Sequence, residues 1–343
     1  MMMSPENQLY GDITYADESR LDAPVLLVVI DTEEEFDWSY SHSRAATSVA
    51  AMQDIYKVQD IFNARSVVPC YVMDYPIVSQ PDGVAPMKEF YQKGQCSVGA
   101  HLHPWVNPPH EEEVIPFNSF PGNLPEALEH KKLSILVDQM EEVFACRPTV
   151  YKAGRYGIGQ NTARTLESLG LTIDLSPTPS FNYAGEGGPD FSRYGNKPFM
   201  FGSESSLLSI PCTGGYVGYL GDASRSVYEM ATRPAFMKMR MPGILSRLGA
   251  VERIRLSPEG YTLDEMIALS DFLVNKGCKV LTLSFHSPTV RPGCTPYVKN
   301  SEDLADFLAK IANYIDYFFS EYAGITLSPE EVYRVLNSGG TRQ

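Results

Sequence analysis

No apolar run in this 343-residue chain approaches the roughly 18 residues that a transmembrane helix needs, so no membrane span is expected. Met1 to Leu21 lacks a basic stretch followed by an apolar one, so no secretory leader is read and a cytoplasmic location is expected. Basic residues are scarce: 28 Lys and Arg face 42 Asp and Glu, a formal net charge of −14. The longest basic run is Lys131-Lys132. A nucleic-acid binder needs a basic stripe, and none is present. An anionic membrane surface or a polyanionic substrate is disfavoured for the same reason, and a neutral or cationic substrate is expected. The six cysteines (Cys70, Cys96, Cys146, Cys212, Cys278 and Cys294) form no CxxC pair. Several lie in apolar stretches, which points to reduced thiols and no disulfides. Repeats and low-complexity segments are absent. The glycines of Tyr151 to Gly159 fit neither GxGxxG nor GxxxxGK[ST], which excludes a nucleotide phosphate loop there.

What is present is an alternation. Strand-like apolar runs at Val25 to Asp31, Ser66 to Met73, Cys96 to His103, Val150 to Ala153, Leu171 to Leu175, Ser206 to Cys212 and Lys279 to Phe285 are separated by helix-like segments. The clearest helices are Ser48 to Asn63, Pro86 to Gly94, Pro125 to Phe144, Gln160 to Leu169, Tyr261 to Asn275 and Glu302 to Glu321. Strands alternating with helices argue for a parallel sheet, and about seven such units match a barrel-like α/β domain. We expect a single domain over 1–343, interrupted by an irregular insertion at about 177–250, of which Pro177 to Gly202 is dense in Pro, Gly and aromatics and Gly214 to Gly249 is irregular or partly helical.

Polar residues close several of these runs. His101 and His103 end the third, in Gly99-Ala100-His101-Leu102-His103-Pro104-Trp105. In extended backbone, residues two apart point the same way, so both imidazoles can grip one metal ion. Hydrolytic zinc sites commonly take His nitrogens and a carboxylate and leave a position open. A carboxylate cluster ends the first run, in Asp31-Thr32-Glu33-Glu34-Glu35-Phe36-Asp37. Glu33 and Glu35 share Asp31's parity, and at most two of these acids are expected to face a site. Arg155 follows the Val150 strand and is read as an ion-pair partner that keeps Asp31 charged. His286 ends the Lys279 strand, where a histidine can serve as a general acid near neutral pH. Asp174 ends another run. Aromatics at Phe181, Tyr183, Phe191, Tyr194, Phe199 and Phe201 suit either sugar stacking or packing of the insertion.

This set resembles the polysaccharide deacetylases, carbohydrate esterase family 4 or the NodB-homology group, and among them the variant, WalW-like members. The resemblance runs from about Pro24 to about Leu336. It implies an α/β fold, a distorted (β/α)7 barrel with the site at the strand C-termini. It also implies a metal-dependent hydrolase that removes acetyl groups from N-acetylated sugars. Asp31 matches the family's catalytic base, and with Thr32 at the adjacent position the metal carboxylate shifts to Glu33. The metal histidines are two apart, His101 and His103, where the family spaces them four apart. Arg155 matches the arginine motif without its usual proline, Asp174 the Asp-containing strand motif, and Leu283 to His286 the histidine motif. The expected catalytic set is therefore Asp31, His286 and Arg155, and the expected metal set Glu33, His101 and His103, holding a divalent ion, with zinc first. The expected partner is a carbohydrate or a small amide. Two alternatives stand beside it: a C–N hydrolase of a small cyclic amide, and an inactive glycan-binding relative.

Overall fold

The computed structural model describes residues 9–38, 42–220, 224–247 and 249–337. The reading of Met1 to Leu21 and that of the insertion fall partly outside them. Seven strands lie parallel: β1 (Val25–Thr32), β2 (Cys70–Met73), β3 (Ser97–Leu102), β4 (Val150–Ala153), β5 (Ile173–Asp174), β6 (Leu207–Ser209) and β7 (Val280–His286). Their hydrogen-bonded order is β6-β5-β4-β3-β2-β1-β7. The last strand in the chain thus returns beside the first, and His286 stands in register with Asp31. Outside this set, Ile325–Thr326 adds to β1, and Phe199–Phe201 and Thr14–Tyr15 extend the β6 edge antiparallel.

Among the described residues no strand pair closes the curve between β6 and β7. The segment after β6 does so instead. Thr282 N–H donates to Thr213 Oγ1 at 2.7 Å and Thr282 Oγ1 to the Pro211 carbonyl at 3.0 Å. Leu256 inserts between them, receiving Ser284 N–H at 3.1 Å and donating to Thr213 O at 2.9 Å. The result is a curled parallel sheet, the barrel-like domain expected from the alternation and the distorted (β/α)7 barrel that the resemblance implied.

The pleat sorts the side chains. Leu27, Val29, Val72, Val150, Ile173, Leu208 and Val280 fill the lumen as one cluster. Leu26, Val28, Ile30, Tyr71, Val98, Leu281 and Leu283 face outward into a larger cluster with the helices. Strands covered on both faces read as unbroken apolar runs, which is why they were visible in sequence. The covering helices include α1 (Tyr56–Asn63), α2 (Pro81–Gln92), α3 (Glu126–Phe144), α4 (Thr162–Leu169), α5 (Leu263–Asn275) and α6 (Ser301–Tyr322). A capping box between Thr262 and Glu265 starts α5.

Three expectations change in detail. Ser48 to Asn63 is a 3₁₀ turn, Ala50–Asp54, followed by α1, so one predicted helix is two short ones. A helix at Tyr75–Ser79 was not foreseen; Asp74 caps it by accepting from Ile77 N–H at 3.0 Å. The span 177–250 is less irregular than expected: besides β6, which the Ser206 to Cys212 run foresaw, it contains the edge strand Phe199–Phe201. Its later part carries Gly214–Val217, paired with Glu252–Arg255, and the helices Ser224–Ala231, Pro234–Lys238 and Met241–Arg247.

Candidate metal centre and active site

Continuing the lumen parity to the C-terminal ends of the strands puts Asp31 (β1), His101 (β3), Lys152 (β4) and His286 (β7) on the same inward face. The register itself pairs His286 with Asp31 and His101 with Lys152. These ends open into a cavity of about 380 Å³ lined by Asp31, Glu33, His101, His103, His286 and aromatic side chains including Trp38, Trp105 and Tyr156.

On one side of it, Glu33 Oε2 lies 3.6 Å from His101 Nε2 and 3.4 Å from His103 Nε2. All three side chains are buried, and their ligand atoms lie within 4.8 Å of one another. The histidines' other nitrogens are already committed. His101 Nδ1 is 2.9 Å from the Lys152 carbonyl, which can only accept, so Nδ1 carries the proton and Nε2 the lone pair. His103 Nδ1 is 2.8 Å from Glu34 Oε2 in the same sense. Burial pushes the pKa of both imidazoles down, His103 to about 4, so both are neutral and able to bind a metal at neutral pH.

Behind Glu34 stands Asp74, buried, its carboxyl held well above the usual range by burial and by its hydrogen bond to Glu34. A proton shared there leaves Glu34 free to hold His103, and Trp105 Nε1 donates to Glu34's other oxygen at 2.7 Å. Carboxylate-to-histidine contacts of this kind orient metal ligands. The fit to a cation has a further sign: Glu33 Oε1 is buried without a hydrogen-bond partner. Burial and the neighbouring Glu34, Asp31 and Asp74 push the Glu33 carboxyl well above its ordinary pKa, a penalty a cation would remove. Glu35, which shares Glu33's parity, turns away to accept from Ser48 Oγ at 2.7 Å and from the Ala51 N–H.

Asp31 is held from the other side. Lys152 Nζ contacts Asp31 Oδ1 at 2.6 Å and Oδ2 at 2.7 Å, with the lysine wholly buried. Burial alone would raise the Asp31 pKa, but the Lys152 ammonium outweighs it and holds the carboxyl below the usual carboxylate range. This corrects the role expected of Arg155. That side chain donates to Glu186 and to Ser119 Oγ and stacks on Phe120 at 4.2 Å. It reaches the cavity wall but not Asp31. The physical reason is position: Lys152 is an inward strand residue, whereas Arg155 lies three residues on, in a turn where it and Tyr156 both take positive φ. The signal was a lysine inside the run Val150-Tyr151-Lys152-Ala153, because a lysine buried in a parallel strand requires a charge partner.

His286 Nε2 lies 3.9 Å from Asp31 Oδ2, and its Nδ1 lies 2.7 Å from Glu259 Oε2. Glu259 also accepts from the His286 backbone N–H at 3.0 Å. Burial lowers the His286 pKa, but Glu259 and Asp31 outweigh it and the net shift is upward. Sequence reasoning missed Glu259, which lies in an ordinary Ser-Pro-Glu-Gly turn. Asp174 is not in the cavity: it accepts from Tyr10 OH at 2.8 Å, Ser209 Oγ at 2.9 Å and Ser176 N–H at 3.0 Å, tying the edge of the barrel together. Of the aromatics singled out, Tyr183 lines the cavity, while Phe199, Phe201 and Tyr194 pack around Tyr10.

No protein-family model and no curated protein matches the chain. Solved structures do match. A protein assigned as a polysaccharide deacetylase from Pseudomonas aeruginosa PAO1 superposes with a TM-score of 0.52 at 14% identity, over 97% of each chain. Another so assigned, from Mycobacterium smegmatis, gives 0.52 at 14% identity, over 93% of this chain and 92% of that one. The likeness, with the seven parallel strands and the opening at their C-terminal ends, identifies the fold of this chain as that of the polysaccharide deacetylases.

Proposed function

We propose that the chain is a metal-dependent hydrolase that removes an acetyl group from an N-acetylated sugar. The observation that carries this reading is the convergence on one cavity of three units: Glu33-His101-His103, Asp31-Lys152 and His286-Glu259. Glu33 Oε, His101 Nε2 and His103 Nε2 would hold the ion. Two neutral imidazoles and one carboxylate suit zinc and leave room for a fourth ligand. A divalent ion there supplies Lewis acidity, polarising an acyl carbonyl and acidifying the attacking water.

The remaining steps belong to the side chains. Asp31, kept ionised by Lys152, takes a proton from the attacking water at its carboxylate. His286, raised by Glu259, carries a proton on Nε2 and delivers it to the departing nitrogen. Without that proton the amine is a very poor leaving group, and a general acid typically contributes a factor on the order of 10² to 10⁴. The aromatic walls, Trp38 and Tyr156 among them, would take a sugar face. Six unpaired cysteines support a reducing compartment, the cytoplasm. One sheet drawing strands from Thr14 to Thr326 supports reading 1–343 as a single domain.

Elemental analysis of the purified protein and of His101→Ala tests the metal set. The reading expects one divalent ion per chain, lost in the variant; equal content in both proteins would remove it.

A further inference from the structure

Most charges around the cavity are matched. Asp31 has Lys152, His286 has Glu259, and Arg155 has Glu186. Arg255 differs. It ends the strand Glu252–Arg255 and lines the same cavity, yet among the described residues no carboxylate lies within ion-pair distance of it.

What holds Arg255 is aromatic. Its guanidinium donates to Tyr156 OH at 3.0 Å and to Tyr183 OH at 3.0 Å. Its Cζ lies 4.4 Å from the Phe181 ring centroid and 5.0 Å from that of Tyr156. A guanidinium has five N–H donors. Two are spent on hydroxyls, and Nε is buried with no partner at all. The tyrosine hydroxyls accept from Arg255, so each keeps its own proton to donate. The group is thus a fixed cation with unspent donors and two further O–H donors around it, built on a cavity wall. Arginine in such a setting suits carboxylate and phosphate, and its fixed geometry lowers the entropic cost of binding.

The Tyr156 ring also ties this cation to the reaction. Lys152 Nζ, which grips Asp31, lies 5.2 Å from the same ring centroid. One tyrosine ring therefore separates the base's partner from the unpaired arginine.

We infer that Arg255, with Tyr156 and Tyr183, receives an anionic group of the substrate, a carboxylate or a phosphate, so that the substrate class is acidic N-acyl sugars. The inference rests on the hydrolase reading above. The net charge of −14 favoured a neutral or cationic substrate, and carboxylates also line the cavity, but an anionic group seated against Arg255 would contact a cation that no carboxylate pairs among the described residues.

Calorimetry with N-acetylglucosamine, N-acetylglucosamine 1-phosphate and N-acetylmuramic acid, on the metal-loaded protein, on R255Q and on R255K, tests this. At least one acidic sugar should bind about ten- to a hundredfold more tightly than the neutral one, the range of a charge-assisted contact. The phosphate and carboxylate ligands show which anion is meant. The advantage should vanish in R255Q and return in part in R255K. Equal binding of all three sugars by the unmodified protein would overturn the inference, as would an advantage that survives R255Q. If R255Q fails to fold, Tyr183→Phe should narrow the same advantage, and no narrowing counts against the inference. Acetate release followed in parallel separates the two readings. Tighter acidic-sugar binding without any acetate sinks the hydrolase and leaves the anion site standing. Acetate from neutral and acidic sugars with equal efficiency does the reverse.

Discussion

Lys152 is the side chain on which the Asp31 assignment turns. Removing its charge leaves a buried carboxylate unpaired, which costs about 3–5 kcal/mol. Lys152→Met should therefore lower stability by about that much in chemical denaturation, and Asp31→Asn added to it should recover most of the loss without recovering activity. Arg155→Ala, at a contact with the exposed Glu186, should change stability by less than about 1 kcal/mol. If the two single variants behave alike, the pairing is misassigned. Glu259 makes a second claim. In the proposed role of general acid His286 must be protonated, so activity should fall as pH rises through its raised pKa. Glu259→Gln removes the charge that raises it, and the alkaline limb of the pH–rate profile should move to lower pH. An unmoved limb would assign that limb to another group. Asp31, His101, His103 and His286 could be picked out by eye because each is polar at the end of an apolar run. Lys152 and Glu259 were not picked out: Lys152 lies inside a strand-like run rather than at its end, and Glu259 lies in a Ser-Pro-Glu-Gly turn. Their roles appear only once the strands curl and bring residues more than a hundred positions apart, or a loop and a strand end, into contact.

The turn after β4 shows how an element sets the position of His103, a proposed metal ligand. Gly154 lies against β3, where a Cβ would overlap the Leu102 carbonyl and come within 2.5 Å of His103 Cδ2. Gly154→Ala should displace His103, costing about 1–3 kcal/mol of stability as overpacking does and lowering metal occupancy. Gly185→Ala, with open space around it, is the matched control and should stay within about 0.5 kcal/mol. Metal content and unfolding midpoints of the two variants decide this; equal effects would contradict it. The elements themselves were legible to different degrees. Val150–Ala153 and the long α3, α5 and α6 stood out because their apolar patterning is strong. The strands β5 and β6 are shorter than their apolar runs, because only two or three residues find hydrogen-bonding partners before the chain leaves the sheet. The strand Glu252–Arg255 was invisible, since Glu-Arg-Ile-Arg carries no apolar signal and is held by its pairing with Gly214–Val217.

For the molecule entire, the count of strand–helix units was enough to predict a seven-stranded barrel, because each buried strand is an apolar run. The seam was not predictable. It is made by Thr213, Thr282 and Leu256, whose hydrogen bonds replace a strand pair and leave no pattern in the sequence. The seam lies beside β7, which carries His286, and the Leu256 segment leads directly into Glu259. The barrel's least regular edge thus positions His286, proposed as the general acid, while its regular half, β1 to β4, positions the proposed metal ligands and base. The proposed reaction, metal-dependent removal of an acyl group from nitrogen, draws on both halves. Acetate release from N-acetylated sugars, followed before chelation, after removal of divalent metal and after zinc is restored, puts that to trial. The account predicts release that stops on chelation and returns with zinc. Release that continues in the metal-free protein, or none from any acidic or neutral N-acetyl sugar with metal present, would contradict it.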